Sequence, residues 1–184
     1  MKPVLNLIVA VSSNMGIGVN GDLPWRLKKE LAYFSRMTKL TSDESKKNAV
    51  IMGRKTWESI PQKNRPLAGR VNIVLSRSIL DLGEGVLVHN SLESALGSLN
   101  QSPLKDQIEI AWVIGGSSLY KEVMESSLCH RMYITRVLKE FECDTFLPEI
   151  KPSFTPVLDP NVPEGIQEEN GIQYGYEVYQ QLQC

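Results

Sequence analysis

The segment VLNLIVAV, residues 4–11, lies close to the start of the chain and is the most informative one for the fold. Apolar side chains occupy both alternating sets of positions, which a strand requires only when a sheet buries it on both faces. Lys2 followed by this run also resembles the charged start and short apolar core of a secretory signal. Because Asn6 interrupts the run and no small-x-small cleavage site follows, we favour a central strand.

The pattern on either side of this strand predicts an α/β fold. Apolar runs recur at residues 49–52, 71–75, 86–88, 110–114 and 132–137, and helices are predicted near 28–40, 54–60, 91–99 and 117–125. Strands that alternate with helices indicate a mostly parallel sheet flanked by helices on both faces. Near the end, residues 154–158 and 172–182 predict a closing antiparallel hairpin. We expect a single domain over residues 1–184.

The bulk composition limits the classes of function. The 184 residues are 42% hydrophobic and 22% charged with a net charge of -1, which gives no broad basic field for nucleic acid or an anionic membrane. No apolar run reaches membrane-spanning length. Cys129, Cys143 and Cys184 are odd in number and widely spaced, so we expect neither a disulfide framework nor a metal site. A reducing, cytoplasmic location fits this cysteine usage best.

A glycine motif, Gly16-x-Gly18-x-x-Gly21, matches the dinucleotide fingerprint GxGxxG. In that fingerprint the third glycine opens a helix whose N-terminus holds the pyrophosphate. Here Gly21 leads into the turn residues DLP at 22–24, and the acidic residue expected about twenty positions further on is missing. We therefore reject the Rossmann interpretation and predict a mobile loop beside a ligand.

Two other glycine motifs predict anion binding. GRKT at 53–56 and GGSS at 115–118 each follow a predicted strand and open a predicted helix, so free N–H groups and a dipole end point at one spot. For GRKT taken alone, a surface turn with solvated cations is an equal alternative. LSR at 75–77 ends another strand, and taken alone it indicates a surface turn. Together with Arg54 it could bind a phosphate monoester, such as the 2′-phosphate of NADPH.

Two single residues are candidates for holding a substrate. Glu30 lies five positions beyond Trp25 at the start of an amphipathic helix, where an acid often only complements the dipole. At the edge of an apolar face an unpaired carboxylate is costly, and a ligand with adjacent N–H donors would satisfy it. Arg70 in the loop NRPLAGR could clamp a carboxylate, although an exposed arginine is the commoner case. No Ser-His-Asp or Cys-His set is evident.

Taken in order, these motifs resemble the dihydrofolate reductase family, essentially from end to end. The matching segments are IVAVSSNMGIGVNGDLPW, VIMGRKTWESIP, NRPLAGR, NIVLSR, WVIGGSSLY, ITRV and FECDTFLPEI. The chain looks most like the monofunctional animal enzymes, although WRLKKE is one residue shorter between tryptophan and acid than the vertebrate versions. The resemblance implies a central sheet of about eight strands and NADPH-dependent reduction of 7,8-dihydrofolate to tetrahydrofolate. Hydride would pass to pterin C6 and a proton to N5, in support of one-carbon metabolism and thymidylate and purine synthesis.

The resemblance also implies roles for individual residues. Glu30 would hold the pterin, Trp25 would fix a water, Thr135 would support the same end of the ring, and a water admitted past Leu23 would deliver the proton. Further substrate contacts are expected from Ile8, Leu31, Phe34, Ile60, Asn64, Leu67, Arg70, Ile114 and Tyr120. Cofactor contacts are expected from Ala10, Ile17, Gly18, Gly21, Asp22, Leu23, Gly53, Arg54, Lys55, Thr56, Leu75, Ser76, Arg77, His89, Gly115, Gly116, Ser117, Ser118, Leu119, Tyr120 and Thr145. The Gly115–Gly116 bond is expected to be cis.

The expected partners are dihydrofolate and antifolate inhibitors, with the protein acting as a monomer. Leu31 stands where the vertebrate enzymes have phenylalanine, and Arg26 replaces a proline or small residue. One rival within the fold is a pyrimidine reductase of riboflavin synthesis, which needs no arginine for a glutamate tail. Another is a catalytically silent protein that binds a messenger RNA or thymidylate synthase. Glu30 together with Arg70 disfavours the first rival, and the intact set of site residues disfavours the second.

Overall fold

One mixed β-sheet organises residues 2–182, the part of the chain that the computed structural model describes; Cys184 lies outside these residues. The strands are β1 (Val4–Val11), β2 (Gly16–Gly18), β3 (Lys47–Gly53), β4 (Arg70–Leu75), β5 (Val86–His89), β6 (Ile108–Gly115), β7 (Arg131–Val137), β8 (Thr145–Phe146), β9 (Phe154–Pro156), β10 (Gln167–Glu169) and β11 (Ile172–Gln181). The helices are α1 (Lys28–Lys39), α2 (Arg54–Ser59), α3 (Leu92–Leu99), α4 (Leu104–Gln107) and α5 (Ser117–Glu125), with a 3-10 helix at Gln62–Asn64.

The order of strands across the sheet is β10-β11-β7-β1-β6-β3-β4-β5. From β7 to β5 all neighbours are parallel, whereas β11 runs antiparallel to β7. Both β9 and β10 pair with β11, at opposite ends of that long strand. The sheet is therefore mostly parallel, about eight positions wide, and closed at one side by antiparallel C-terminal strands, as the sequence predicts.

The strand β1 has the central position that its two apolar faces predict. Leu5, Leu7, Val9 and Val11 face a core shared with α3 and α5, whereas Ile8 faces a second core shared with α1 and α2. Both faces of the sheet are thus covered by helices, which explains why the middle parts of its parallel strands are largely apolar. Within residues 2–182, no helix combines the length and apolar character needed to cross a membrane.

Several short elements were not predicted. Gly16–Gly18 forms β2, which pairs with β8 in a small separate sheet, and the bridge between Val19 and Asp22 closes the turn that follows. The expected joining segment before β11 contains the polar strand β10, and α4 precedes β6. The rejection of the Rossmann interpretation agrees with this geometry, because Gly21 lies in a turn with φ 78° and opens no helix.

Candidate active site

A cleft opens at the carboxyl edge of the parallel strands. Its walls include the ends of β1, β3, β4 and β6, among them Ala10, Gly53, Leu75 and Ile114. Parallel strands present their carboxyl ends at one edge, where α/β proteins usually bind ligands. The cleft has a volume of about 1910 Å³. Since a pocket for a single drug-sized molecule has roughly 300–1,000 Å³, the cleft has room for two ligands side by side.

Most of the site residues predicted from the sequence line this cleft. They are Ala10, Ile17, Gly18, Gly21, Asp22, Leu23, Trp25, Leu31, Phe34, Gly53, Arg54, Lys55, Thr56, Ile60, Asn64, Leu67, Arg70, Leu75, Ser76, Arg77, Ile114, Gly115, Gly116, Ser117, Ser118, Leu119, Tyr120 and Thr145. They come from segments that are far apart in the sequence, so the fold alone brings them together.

Two helix N-termini meet at one side of the cleft. Gly53 precedes α2 and Gly116 precedes α5, and the two helices follow β3 and β6, which are adjacent and parallel. The peptide bond between Gly115 and Gly116 is cis, as the resemblance implies. Gly115 has φ 128°, and a Cβ there would lie 3.4 Å from the hydroxyl of Tyr120. These N–H groups and dipole ends favour a negatively charged ligand.

Positively charged side chains lie beside these helix N-termini, but they are not equally free to bind an anion. Arg54 Nε lies 2.8 Å from Glu58 Oε1, one helical turn away, in an exposed ion pair with which a ligand at Arg54 would compete. Lys55 and Arg77 also line the cleft, and neither forms an ion pair within residues 2–182. Ser76 donates its backbone N–H to the carbonyl of His89 at 2.9 Å, which fixes the end of β4 beside β5. Arg77 is therefore the better placed of the two arginines to receive a phosphate.

The carboxylate of Glu30 is buried behind the opposite side of the cleft. Its exposed fraction is 6%, and Thr135 Oγ1 donates a hydrogen bond to Oε1 at 3.0 Å. Burial raises the pKa of Glu30 from 4.5 to about 7, and the hydrogen bond from Thr135 partly opposes this shift. The carboxyl group thus changes charge near neutral pH. Within residues 2–182 its side-chain hydrogen-bond partner is Thr135, and a ligand with N–H donors would stabilise the charged form.

Trp25 lies in a small core with Leu27, Val137 and Tyr174. The indole is 4% exposed, and its Nε1 is buried without a partner among the described residues. A buried N–H of this kind costs free energy unless a water or a ligand accepts it. Because Trp25 also lines the cleft, that acceptor would lie in the cleft.

Arg70 reaches the cleft from the first residue of β4. Its Nη1 donates to Thr38 Oγ1 at 2.9 Å, and its Nε donates to the Ala68 carbonyl at 2.9 Å. Thr38 is fully buried in α1, so the guanidinium is anchored between the helix and the loop before β4. Partial burial lowers the pKa of Arg70. The outer edge of the group, with Nη2 and the second Nη1 hydrogen, remains able to bind a carboxylate through two hydrogen bonds.

Four predicted residues do not line the cleft directly. Glu30 and Thr135 form the buried pair described above, next to the lining residues Phe34 and Ala10. Ile8 accepts a hydrogen bond from Tyr120 Oη on its carbonyl oxygen at 2.9 Å. His89 is positioned differently from expectation: its ring lies against α3, with Nδ1 2.8 Å from Ser94 Oγ and Nε2 3.2 Å from Ser98 Oγ. Its backbone, through Ser76, rather than its side chain, supports the cleft.

Other lining residues were missed. Ser78, Asn90, Ser91 and Leu92 line the cleft beside Arg77, and Asp144 lines it beside Thr145. Asp144 Oδ2 accepts a hydrogen bond from the Asn20 N–H at 2.9 Å and thereby ties the glycine loop to the segment before β8. The position of residues 90–92, directly after a parallel strand, was a signal that could have identified them.

Leu31 and Phe34 show that α1 has two apolar faces. Tyr33 and Met37 are buried against the sheet, whereas Leu31 is 49% exposed and faces the cleft with Phe34. An exposed leucine in a cleft wall offers apolar contact to a ligand rather than to the core.

Together these features define an α/β enzyme whose cleft joins an anion-binding wall to a pocket closed by a buried acid. The dihydrofolate reductase family model matches residues 4–181. Over 180 residues the chain is 52% identical to dihydrofolate reductase of Aedes albopictus and 53% identical to that of Sus scrofa, covering 96% of this chain and 97% of each relative. The structure of Schistosoma mansoni dihydrofolate reductase superposes with a TM-score of 0.88 at 38% identity, covering 99% of this chain and 100% of that one. The chain belongs to the dihydrofolate reductase family and is of the animal type.

Proposed function

We propose that this chain catalyses the NADPH-dependent reduction of 7,8-dihydrofolate to 5,6,7,8-tetrahydrofolate, with both molecules bound in the cleft. The observation that carries the proposal is the division of the cleft into an anion-binding wall and a pocket backed by a buried carboxylate. The order β1-β6-β3-β4 separates Ala10 on β1 from Arg77 after β4 by three strand spacings. At about 4.8 Å per spacing this is roughly 14 Å along the sheet edge, a distance that an extended dinucleotide would bridge.

The chemistry of the anion-binding wall fits NADPH. The N-termini of α2 and α5 supply N–H donors for the pyrophosphate, with Thr56, Ser117 and Ser118 as hydroxyl donors. Arg77, Ser76 and Lys55 are the groups proposed for the 2′-phosphate, assisted by Arg54. The proposed nicotinamide site lies among Ala10, Gly115 and Tyr120. When bound there, NADPH supplies the hydride.

The pocket beside Glu30 fits the pterin of dihydrofolate. The 2-amino group and the adjacent ring nitrogen offer two neighbouring N–H donors, which match the two oxygens of one carboxylate. Thr135 already bonds Oε1 of Glu30 and so holds the carboxylate in one orientation. The role proposed for Trp25 is to hold a water through its unpartnered Nε1.

The rest of the substrate would follow the cleft along α1. Leu31, Phe34, Ile60 and Leu67 provide apolar walls for the aminobenzoyl ring. Beyond them lies the free edge of the Arg70 guanidinium, which suits the α-carboxylate of the glutamate, with Asn64 beside it. This arginine distinguishes a folate substrate from a bare pyrimidine.

The protein must also manage the proton that N5 of the pterin receives. We assign Glu30 the role of polarising the ring, and a water that enters past Leu23 the delivery of the proton. Leu23 is 40% exposed on the loop that lines the cleft, so a small movement of this loop would admit or exclude water. The same loop is tied to Asp144 through Asn20, which gives it a defined resting position.

We also propose that the protein works as a monomer in the cytoplasm, as one domain over residues 1–184. Support comes from the cleft, whose proposed groups all belong to one chain, and from Cys129 and Cys143, which are free thiols.

The direct test is the loss of NADPH absorbance on addition of dihydrofolate to the purified protein. Turnover that requires both reactants is expected, with a preference for NADPH over NADH. Turnover of an aminopyrimidine of riboflavin synthesis in place of dihydrofolate would support the pyrimidine reductase instead. Binding of both reactants without turnover would support a catalytically silent protein.

A further inference from the structure

We propose that Glu169 is a positioning residue for Glu30, because its carboxylate caps α1 and holds the helical turn that carries Glu30. This inference rests on the function proposed above, in which Glu30 binds the pterin. Glu169 touches neither the cleft nor the Glu30 side chain, so its effect on the reaction is indirect.

The contact itself is a two-point cap on the N-terminus of α1. The residue before the helix is Leu27, whose side chain has no oxygen to accept a hydrogen bond. The carboxylate of Glu169 replaces such a cap: Oε2 accepts from the Lys28 N–H at 2.7 Å and Oε1 from the Lys29 N–H at 2.8 Å. N–H groups in the first turn of a helix have no partner within the helix, and a carboxylate also complements the dipole. Both contacts therefore stabilise the first turn.

The hairpin of β10 and β11 holds Glu169 in place. Glu169 pairs with Ile172 across a tight turn in which Asn170 and Gly171 have φ of 52° and 75°. Ile172 packs against the small core that contains Trp25 and Leu27. The backbone of Glu169 is thus held by a hairpin that packs on the same core that precedes α1, while its carboxylate reaches the helix N-terminus at the protein surface.

Glu30 is the next residue after Lys29, so the capped turn determines where its side chain begins. On the other side, Thr135 bonds the Glu30 carboxylate, and Thr135 pairs with Tyr176 of β11. Both restraints on Glu30 thus come from strands that pair with β11: Thr135 on β7 holds the carboxylate, and Glu169 on β10 holds the backbone of the first helical turn. If the Glu169 cap were lost, the hydrogen bond from Thr135 would be the one of these two restraints on Glu30 that remained.

The test compares Glu169→Ala with Glu168→Ala, whose side chain is exposed on the neighbouring residue of β10. Single-turnover hydride transfer with saturating NADPH should slow by about tenfold in Glu169→Ala, since small misplacements of a binding group are costly. The Kd for NADPH should stay as in the parent protein. Glu169→Gln, which keeps one acceptor oxygen, should lie between the two, and Glu168→Ala should match the parent.

A double-mutant cycle with Glu30→Gln separates positioning from a general structural role. If Glu169 acts through Glu30, Glu169→Ala should slow hydride transfer no further in the Glu30→Gln background. An equal slowing in both backgrounds overturns the inference, as does a lower Tm with unchanged kinetics of the folded enzyme. Parent-like hydride transfer in Glu30→Gln alone would instead refute the role of Glu30 itself, and the inference with it.

Discussion

In the ligand-free state, the Glu30→Gln variant should become more stable than the parent protein as the pH rises above about 5, because the parent loses stability that the variant keeps. The carboxyl group is 6% exposed, and burial raises its pKa from 4.5 to about 7. The folded protein therefore holds this proton more tightly than the unfolded chain. The stabilisation due to this proton is fully present below pH 4.5 and is lost as the pH rises through about 7.

The size of the effect follows from the same two pKa values. One pKa unit corresponds to about 1.4 kcal/mol, so a rise from 4.5 to about 7 corresponds to about 3 kcal/mol of unfolding free energy. Glutamine is neutral at every pH and nearly isosteric, so the variant should lack this pH dependence. At pH 8 the parent protein should have lost most of this stability relative to the variant.

Urea unfolding of the two ligand-free proteins between pH 4.5 and 8.5 measures this difference. Other groups, such as His130, titrate in both proteins and cancel in the comparison. With rising pH, the unfolding free energy of Glu30→Gln should increase steadily relative to that of the parent protein. Glu168→Gln, which changes an exposed residue, should show the same pH dependence as the parent. A difference that stays constant across this pH range would show that the pKa of Glu30 is not raised in the folded protein, contrary to this prediction.

Three further changes test the substrate and cofactor assignments. Arg70→Ala should weaken dihydrofolate binding by about 2 kcal/mol, roughly thirtyfold in Kd, because the substrate carboxylate loses its half-buried guanidinium partner; an unchanged Kd in a fluorescence titration removes Arg70 from the site. Arg77→Ala should reduce the preference for NADPH over NADH by about tenfold and by more than Arg54→Ala, since Arg54 is paired with Glu58. Equal or absent effects on the ratio of kcat/KM values would contradict this ranking. Thr135→Val removes the hydrogen bond that lowers the pKa of Glu30, so the pH midpoint of the Glu30-dependent stability should rise; a midpoint that falls or stays fixed refutes it.

The sequence predicts the parts of the fold that have strong hydrophobic patterns. The two apolar faces of β1 and the alternation of strands and helices lead to the observed sheet. The strands β2, β8 and β10 were not predicted, because a segment of two or three residues is too short to show a hydrophobic periodicity. In β10 the sequence QEE is also polar, and its pairing with β11 is a tertiary contact without a local signal.

The candidate site also contains residues that a local sequence pattern predicts and residues whose position depends on tertiary contacts. Glycine before a helix and arginine after a strand mark local chemistry, so GRKT, GGSS and LSR could be found in sequence. The orientation of Arg70 by Thr38 and the cap of α1 by Glu169 join residues that are far apart in the chain. His89 shows that a local pattern can also be incomplete. It is a basic residue near a predicted phosphate site, but its ring lies against two serines of α3. Which way a side chain points depends on packing that the linear pattern does not contain.

The most direct test of the central claim is single-turnover hydride transfer from NADPH to dihydrofolate in Glu30→Gln, followed by stopped flow at neutral pH. Glutamine keeps the shape of the side chain but cannot provide two acceptor oxygens for the pterin. The hydride transfer rate should be at least about a hundredfold below that of the parent protein, with NADPH binding near normal. A parent-like rate in this variant would contradict the claim that the buried carboxylate anchors and polarises the substrate.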